Sequence, residues 1–295
     1  MTPEGLPPVV VGVDPDNPSR MVLAWAADEA DRRDLPLRLV LASRLMTRDV
    51  AWPLAAADMI EQDRLDHLAG EQVLAEAAQF VAGRCPRVPV EVRQLDGDPI
   101  EVLRDQAEDA AQVVLGSRRL TPVRELFSAG SAAVALIAHA RCPVVVVRDP
   151  EHATQNPPYL VVGVDGSPGA QFAVDHAFDV AARRGAGLRA VLAWQPERRA
   201  TAERRHAAEQ EYRRVLAEAT AGRLEAYPEV ELTHEVVLGH PVAVLSEASA
   251  HALALVVGTR GRGGFAGMLL GSVSQGVLHH AHCPVMVVPA PSLRT

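Results

Sequence analysis

The chain has 295 residues, 48% of them hydrophobic, and a formal net charge of −8. Because single domains commonly have about 100–200 residues, this length predicts two domains with packed cores. The acidic excess argues against binding along a nucleic-acid backbone, which requires a strong positive potential. All 29 basic residues are arginines, which excludes any phosphate-binding loop that depends on lysine.

The predicted elements of the first half return in the same order in the second half. The opening apolar run 8–14 ends in Asp14 and returns as 159–165, which ends in Asp165. The other matched blocks are 32–33 with 183–184, 41–42 with 192–193, 97–99 with 239–241, 114–118 with 256–260, 130–131 with 271–272, and 141–147 with 282–288. This order indicates a tandem duplication, with domains predicted at 1–150 and 151–295 and a Pro-rich junction at 149–158.

Within each half, short apolar runs alternate with longer amphipathic stretches. In the second half, strands are predicted at 160–165, 188–194, 230–238, 253–258 and 285–288, and helices at 168–184, 200–226, 241–251 and 272–281. Strands that are apolar nearly throughout are typical of a parallel sheet covered on both faces. The pattern therefore predicts two doubly wound α/β domains, whose ligands bind beyond the carboxyl ends of the strands. In the second half, chemistry is expected just after Asp165, Trp194 and Gly258.

A glycine-rich loop from Gly258 to Ser272 follows the fourth predicted strand of the second half and leads into a helix. Glycines let backbone N–H groups turn toward an anion, and a helix N-terminus adds further N–H donors. The helix dipole alone contributes about 0.3–2 kcal/mol, so Arg260 and Arg262 are expected to add charge. The alternative is a loop that merely connects strand and helix, but its place in a doubly wound domain favours phosphate binding.

The spacing of this loop is specific. Gly258, two residues, Gly261, nine residues, and then Gly271-Ser272, followed by a helix and Cys-Pro-Val-Met-Val-Val, closely resemble universal stress proteins of the ATP-binding type. The resemblance covers nearly all of both halves, in the tandem form known from actinobacteria. It implies a Rossmann-like, HUP-type domain with a five-stranded parallel sheet. It also implies bound ATP with slow or absent hydrolysis, and Mg or Mn bridged by the phosphates.

The resemblance also implies roles for individual residues. Asp165 would contact the nucleoside, and the backbone around Ala193 and Trp194 would meet the adenine. Contacts to the triphosphate would come from the loop and the start of the helix, at Gly258, Gly261, Arg262, Gly263, Gly264, Gly271, Ser272, Val273 and Ser274. The matching positions of the first half are Asp14, Gly116, Gly130 and Ser131.

The loop of the first half departs from this pattern. Arg119 replaces the second glycine, and the stretch 117–129 contains no glycine at all. It does contain Pro122, which lacks an N–H donor, and Glu125, which adds negative charge. Either Arg118 and Arg119 replace backbone donors with charge, or the site has decayed. We favour a weakened or altered first site.

Two other groups of residues favour ordinary structural roles. His279, His280, His282 and Cys283 are of metal-ligand types, but adjacent helical side chains point about 100° apart, so no protein-built metal site is predicted. The three cysteines, the others being Cys85 and Cys142, are too few for a disulfide framework and are expected to be buried. No Gly-x-Ser-x-Gly motif follows a strand, so no catalytic residue is assigned.

The resemblance implies a nucleotide-dependent regulator of stress response or growth, and the two loops predict that it binds ATP chiefly in its second half. The alternatives are a slow ATPase or ATP-using transferase, and an interaction scaffold that needs no nucleotide. The chain shows no signal peptide and no apolar run of about 18 residues, so a cytoplasmic protein without a membrane span is expected. Because the resembling proteins often dimerise through their last strands, 144–147 and 285–288 predict a homodimer or an intrachain pseudo-dimer. An adenine nucleotide and an unknown protein are the other predicted partners.

Overall fold

The computed structural model describes residues 5–16, 18–43, 53–117, 132–148, 154–196, 201–262 and 270–290. Several positions singled out above lie outside these ranges, namely Arg118, Arg119, Pro122, Glu125, Gly130, Ser131, Gly263 and Gly264. The chain divides into two compact units, Met1–Ser117 and Arg118–Thr295. Within the described ranges, no helix has the length and apolar character needed to cross a membrane.

The first compact unit alternates strands and helices. Its described elements are β1 (Val9–Gly12), α1 (Arg20–Arg32), β2 (Leu37–Ser43), α2 (Pro53–Arg84), β3 (Val90–Asp96), α3 (Pro99–Gln106) and β4 (Gln112–Ser117). The strands pair in parallel in the order β3-β2-β1-β4. Val9, Val10 and Val11 are fully buried, as expected for the centre of a sheet covered on both faces.

The second compact unit contains the last helix and strand of the first repeat and all of the second repeat. Its described elements are α4 (Ala132–His139), β5 (Val144–Arg148), β6 (Tyr159–Gly163), α5 (Pro168–Arg184), β7 (Gly187–Trp194), α6 (Ala202–Thr220), α7 (Arg223–Ala226), β8 (Leu232–Leu238), α8 (Pro241–Ala248), β9 (Leu255–Gly258), α9 (Ser272–His280) and β10 (Val285–Val288). Strands β10-β9-β6-β7-β8 form the predicted five-stranded parallel sheet. On its outer side, β10 pairs in antiparallel orientation with β5, so the two last strands of the repeats do meet within the chain.

Two helices of the second repeat are shorter than the sequence indicates. The stretch predicted as one helix over 200–226 is divided between α6 and α7, because Gly222 adopts a left-handed conformation with φ of 75°. Glycine takes that conformation at little steric cost and commonly ends a helix. The helix predicted over 241–251 ends at Ala248. The predicted strands 230–238 and 253–258 likewise begin two residues later, at Leu232 and Leu255.

Candidate functional site

The carboxyl ends of β6 and β9 define the candidate site. The two strands are parallel neighbours, with Val161 opposite Leu255, so the loops that follow them leave the same edge of the sheet. From β6 the chain continues to β7 on one side, whereas from β9 it continues to β10 on the other. The loops therefore diverge at a topological switch point, where doubly wound sheets have their ligand crevice.

Asp165 joins the two loops at this crevice. Its Oδ1 accepts a hydrogen bond from the backbone N–H of Ser167 at 2.9 Å, which closes a tight turn before α5. Its Oδ2 accepts a hydrogen bond from the backbone N–H of Arg262, also at 2.9 Å. The Ser167 hydroxyl then caps α5 by accepting from the N–H of Ala170 at 3.2 Å. One carboxylate thus fixes both the start of α5 and the path of the loop after β9.

Glycines allow this close approach of backbone to backbone. A Cβ at Gly261 would overlap Oδ2 of Asp165, and a Cβ at Gly258 would stand 2.6 Å from the carbonyl oxygen of Gly169. A Cβ at Gly169 would in turn overlap the carbonyl oxygen of Arg260. Two of the glycines that the sequence singled out, Gly258 and Gly261, are therefore required by the packing of the β9 loop against Asp165 and the first turn of α5.

The N-terminus of α9 lies next to the end of β9. Gly271 is the N-cap residue and has no side chain with which to cap the helix, while its own N–H donates to the carbonyl of Thr259 at 2.8 Å. The Ser274 hydroxyl donates to the carbonyl of Gly258 at 2.6 Å and so ties the first turn of α9 to β9. The first-turn N–H groups of Ser272 and Val273 have no intrahelical acceptor, and such groups bind anions in many proteins.

Both loop arginines are exposed at this edge of the sheet. The guanidinium of Arg262 extends across Gly166, because a Cβ at Gly166 would stand only 2.7 Å from Nη2 of Arg262 and 2.9 Å from Cγ1 of Val215. Gly166 also has φ of 76°, which favours glycine. Sequence reasoning missed Gly166, Val215 and Gly169. The glycines could have been found, because the first repeat has Pro15 and Pro18 at the matching positions.

Ala193 and Trp194, the two residues predicted near the adenine, turn their backbone groups to opposite sides of β7. The Val164 N–H donates to the Val191 carbonyl at 2.9 Å, and this is the last rung between the β6 segment and β7. Because alternate residues of a strand face the same neighbour, Ala193 turns its peptide groups to the same edge, just beyond the end of β6. The Trp194 carbonyl instead accepts from the Gly239 N–H at 2.9 Å, on the β8 side. Ala193 therefore faces the crevice with its backbone.

The side chain of Trp194 packs against helix α6. It is buried and lies against Tyr212 of α6, with ring centroids 5.4 Å apart. Val215, which reaches Gly166, is three residues further along the same helix. This face of α6 therefore supports the end of β7 and the turn after Asp165 with apolar side chains.

The described part of the first-repeat site is built differently. Asp14 follows β1, and its Oδ1 accepts from the N–H of Asp16 at 3.1 Å. Helix α1 begins at Arg20, after Ser19 as its cap. A Cβ at Gly116 would stand 3.1 Å from a side-chain methyl of Val22 rather than against backbone. The two repeats therefore share the aspartate and the glycine, but a Cβ at Gly116 would meet a side chain, whereas one at Gly258 would meet backbone.

The possible metal ligands and the three cysteines were the other groups that the sequence analysis considered. Among the residues that the structure describes, no three or more His, Cys, Asp and Glu side chains form a group that could hold a metal ion. Cys85, Cys142 and Cys283 are buried, as expected. Burial raises the pKa of the Cys283 thiol to about 11, so this cysteine is protonated near neutral pH.

Known proteins identify the family of this architecture. The model of the universal stress protein family matches the chain twice, at residues 6–148 and 159–289. The chain belongs to this family. It is 37% identical to the universal stress protein Rv2005c of Mycobacterium tuberculosis, over 95% of this chain and 96% of that protein. Rv2623 of the same organism is another universal stress protein, 36% identical over 95% of both chains.

A solved structure supports the same fold for this universal stress protein. The crystal structure of a universal stress protein from Archaeoglobus fulgidus superposes with a TM-score of 0.67 and covers 96% of this chain and 97% of its own. The sequence identity is 20%, so the likeness concerns the fold. Together with the double match, it confirms the prediction of tandem α/β domains of universal-stress-protein type.

Proposed function

We propose that this universal stress protein binds ATP at the carboxyl ends of β6 and β9 and acts as a nucleotide-dependent regulator rather than a dedicated catalyst. The backbone geometry of the β9 loop supports this most directly. The loop passes so close to Asp165 that there is no room for a Cβ at position 261. It leads to the N-terminus of α9, where the N-cap residue is Gly271 and has no side chain to cap the helix.

The described residues fit the parts of an ATP molecule. ATP supplies a chain of negatively charged phosphates, and a helix N-terminus with adjacent arginines is suited to such a charge. The groups that would hold the phosphates are the N–H groups of Ser272, Val273 and Ser274 and the side chains of Arg260 and Arg262. A Mg or Mn ion, when present, would be bridged mainly by the phosphates.

The adenosine part would lie toward β7. The peptide groups of Ala193 face that side and would meet the adenine edge. Asp165 would contact the nucleoside through lone pairs that its two backbone hydrogen bonds leave available, because each carboxylate oxygen has two. The apolar side chains of Trp194, Tyr212 and Val215 would exclude water from this contact.

The surroundings of Asp165 favour binding over turnover. A general base must direct a lone pair at the attacking water, within about 2.6–3.2 Å. In the proposed arrangement, Asp165 instead holds the two loops and turns its remaining lone pairs to the nucleoside, at the opposite end of ATP from the γ-phosphate that a water would attack. We therefore infer that bound ATP stabilises the loop and the fold, and that the protein reports nucleotide to a partner.

The nucleotide content of the freshly purified chain tests this proposal. After denaturation, anion-exchange chromatography of the supernatant measures ATP per chain, and we expect one ATP, from the second repeat. Added ATP should also raise the unfolding temperature, because a ligand at about a hundredfold above its Kd stabilises the native state by about 2.7 kcal/mol. A chain that contains no nucleotide and gains no stability from ATP would overturn the proposal. ADP in place of ATP would favour the slow ATPase.

A pair of variants assigns the binding to one repeat. In Gly261→Val, the new side chain must displace Asp165 from the loop and so break a charge-assisted hydrogen bond, which is worth about 1.5–3 kcal/mol. We expect ATP affinity to fall about tenfold or more by isothermal titration calorimetry. Arg119→Ala, in the altered loop of the first repeat, should leave that affinity nearly unchanged. Equal losses in the two variants would mean that both loops bind ATP alike.

A further inference from the structure

The guanidinium of Arg148, at the end of β5, closes the C-terminus of α9. Its Nη1 donates to the carbonyl of Ala281 at 2.8 Å, and its Nη2 donates to the carbonyls of Leu278 and His279 at 2.9 and 2.6 Å. The last carbonyls of a helix have no intrahelical partner, and a cation placed there also opposes the negative end of the helix dipole. Arg148 supplies both interactions from a strand of the other repeat.

The pairing of β5 with β10 fixes the position of this arginine. In the antiparallel register, Val146 lies opposite Val285, which places Arg148 across from Cys283, in the turn between α9 and β10. The side chain is half-buried there. Burial lowers the pKa of the Arg148 guanidinium, but arginine stays charged at neutral pH. A cation is therefore held against the end of α9 by the sheet itself.

The two ends of α9 have different tasks. Its first turn is tied to the end of β9 by Ser274 and presents N–H groups at the candidate phosphate site. Its last turn is held by Arg148. The helix has nine residues, so the two ends are about 13 Å apart at 1.5 Å per residue. Because so short a helix moves as one piece, holding the last turn also limits where the first turn can lie.

We propose that Arg148 is a positioning residue for the phosphate-binding end of α9, so that β5 of the first repeat tunes nucleotide affinity in the second. This inference rests on the proposed function. It makes the pairing of β5 with β10 part of the binding site, although Arg148 itself would not touch the nucleotide.

The repeat offers an internal comparison. The strand of the second repeat that matches 144–148 continues after Val288 with Pro289, so the position of Arg148 is taken by a proline. By the same register, with Val144 opposite Val287, Pro289 would lie across from Cys142, after α4. A proline side chain has no donor for helix carbonyls. The arginine therefore caps α9, the helix that follows the intact glycine loop. The matching proline cannot cap α4 in the same way.

The test compares Arg148→Met, Arg148→Lys and the control Arg141→Met in the full-length chain. Arg141 is an exposed arginine of the turn before β5. The readouts are the Kd for ATP, the Kd for adenosine, which lacks phosphates, and hydrogen exchange of the α9 amides. For Arg148→Met we expect an ATP Kd about three- to tenfold higher, because the first turn of α9 is then held less firmly, and an unchanged adenosine Kd. Arg148→Lys keeps a charge that cannot reach all three carbonyls, so an intermediate value is expected.

The outcomes separate this inference from the function on which it rests. An unchanged ATP Kd in Arg148→Met would overturn the positioning role, whatever the exchange rates. Equal losses for ATP and adenosine would also overturn it, because they indicate a general loss of structure. The same ATP loss in Arg141→Met would also overturn it. If the wild-type chain binds no ATP, the proposed function fails, and faster exchange of 272–280 in Arg148→Met then decides alone whether Arg148 holds the helix.

Discussion

Asp165 accepts hydrogen bonds from two loops that are far apart in the sequence, since Arg262 lies 97 positions away. The sequence alone identified Asp165 as a residue at a strand end, because the run 159–165 returns from the first repeat. It could not predict the bond to the Arg262 N–H, because that bond depends on how β6 and β9 lie side by side. The glycine spacing was predictable as a motif, but its physical cause, the absence of space for a Cβ, appears only in three dimensions.

The matched glycines at the ends of β4 and β9 provide a test of that cause. In Gly258→Ala, the new methyl group would stand 2.6 Å from the backbone oxygen of Gly169, so main chain must move. We expect a loss of about 1–3 kcal/mol in the free energy of unfolding, as for overpacked cores. In Gly116→Ala the neighbour is a methyl of Val22 at 3.1 Å, which can turn aside, so a loss below about 1 kcal/mol is expected.

Urea denaturation followed by circular dichroism measures both variants against the wild type. Because the two substitutions add the same methyl group, their difference isolates the surroundings. Equal losses of unfolding free energy in the two variants would show that the close approach of the β9 loop to α5 is not the reason that position 258 requires glycine.

Among the secondary-structure elements, the bounds of the strands were more predictable from the sequence than those of the helices. Continuous apolar runs bounded by glycine or proline gave β6, β7 and β10 within two residues of their ends. The division of the predicted helix 200–226 was missed, because charged and alanine-rich residues favour a helix on both sides of Gly222. A single glycine inside such a stretch either stays helical or turns left-handed, and the neighbours in the fold decide which.

An ion-pair network joins β2 to β3 in the first unit and makes a prediction for pH dependence. Arg38, which is buried, lies directly opposite Glu91 and donates to it at 2.8 Å, and Arg93 donates to the same carboxylate at 2.6 Å. Burial on its own would raise the pKa of Glu91, but the hydrogen bonds from the two arginines outweigh it and hold that pKa below its usual value. The folded state therefore favours the ionised form.

The sign of the effect follows from this lowered pKa. The stabilisation is fully present above the pKa of an unfolded glutamate, about 4.3, and is lost as the pH falls through the lower pKa of the folded state. At pH 7 we expect Glu91→Gln to be less stable than wild type, and the difference to shrink below about pH 4. Denaturation midpoints at pH 7, 4 and 3 measure it. A difference that stays constant down to pH 3 would show that Glu91 does not stabilise the fold through its charge.

For the molecule as a whole, the two repeats share a fold, but the described turns after their first strands differ. Gly166 and Ser167 lead from Asp165 directly into α5, whereas the residues 15–19 separate Asp14 from α1. Helix α1 therefore begins three residues further from its aspartate than α5 does. This difference, like the altered spacing around Arg119, supports our proposal that nucleotide binds chiefly in the second repeat.

Strand pairing within the chain makes a prediction for the oligomeric state. Residues 144–147 of β5 and 285–288 of β10 are buried, and the edge of β10 is covered by β5. The strands that would join two copies in a homodimer are thus already paired with each other. We expect size-exclusion chromatography with light scattering to give the mass of one chain, 31.5 kDa, at all concentrations tested.

A matched pair of variants ties that mass to the strand pair. Val145→Asp places a carboxylate opposite Met286, where an unpaired charge cannot be buried without a large penalty, so the pair should open and leave the edge of β10 unprotected. Self-association is then expected. Val92→Asp introduces the same change on β3, where the side chain is 46% exposed, and should leave the chain monomeric. A wild-type species of twice the mass that survives dilution, or identical behaviour of the two variants, would mean that a surface other than β5 and β10 controls association.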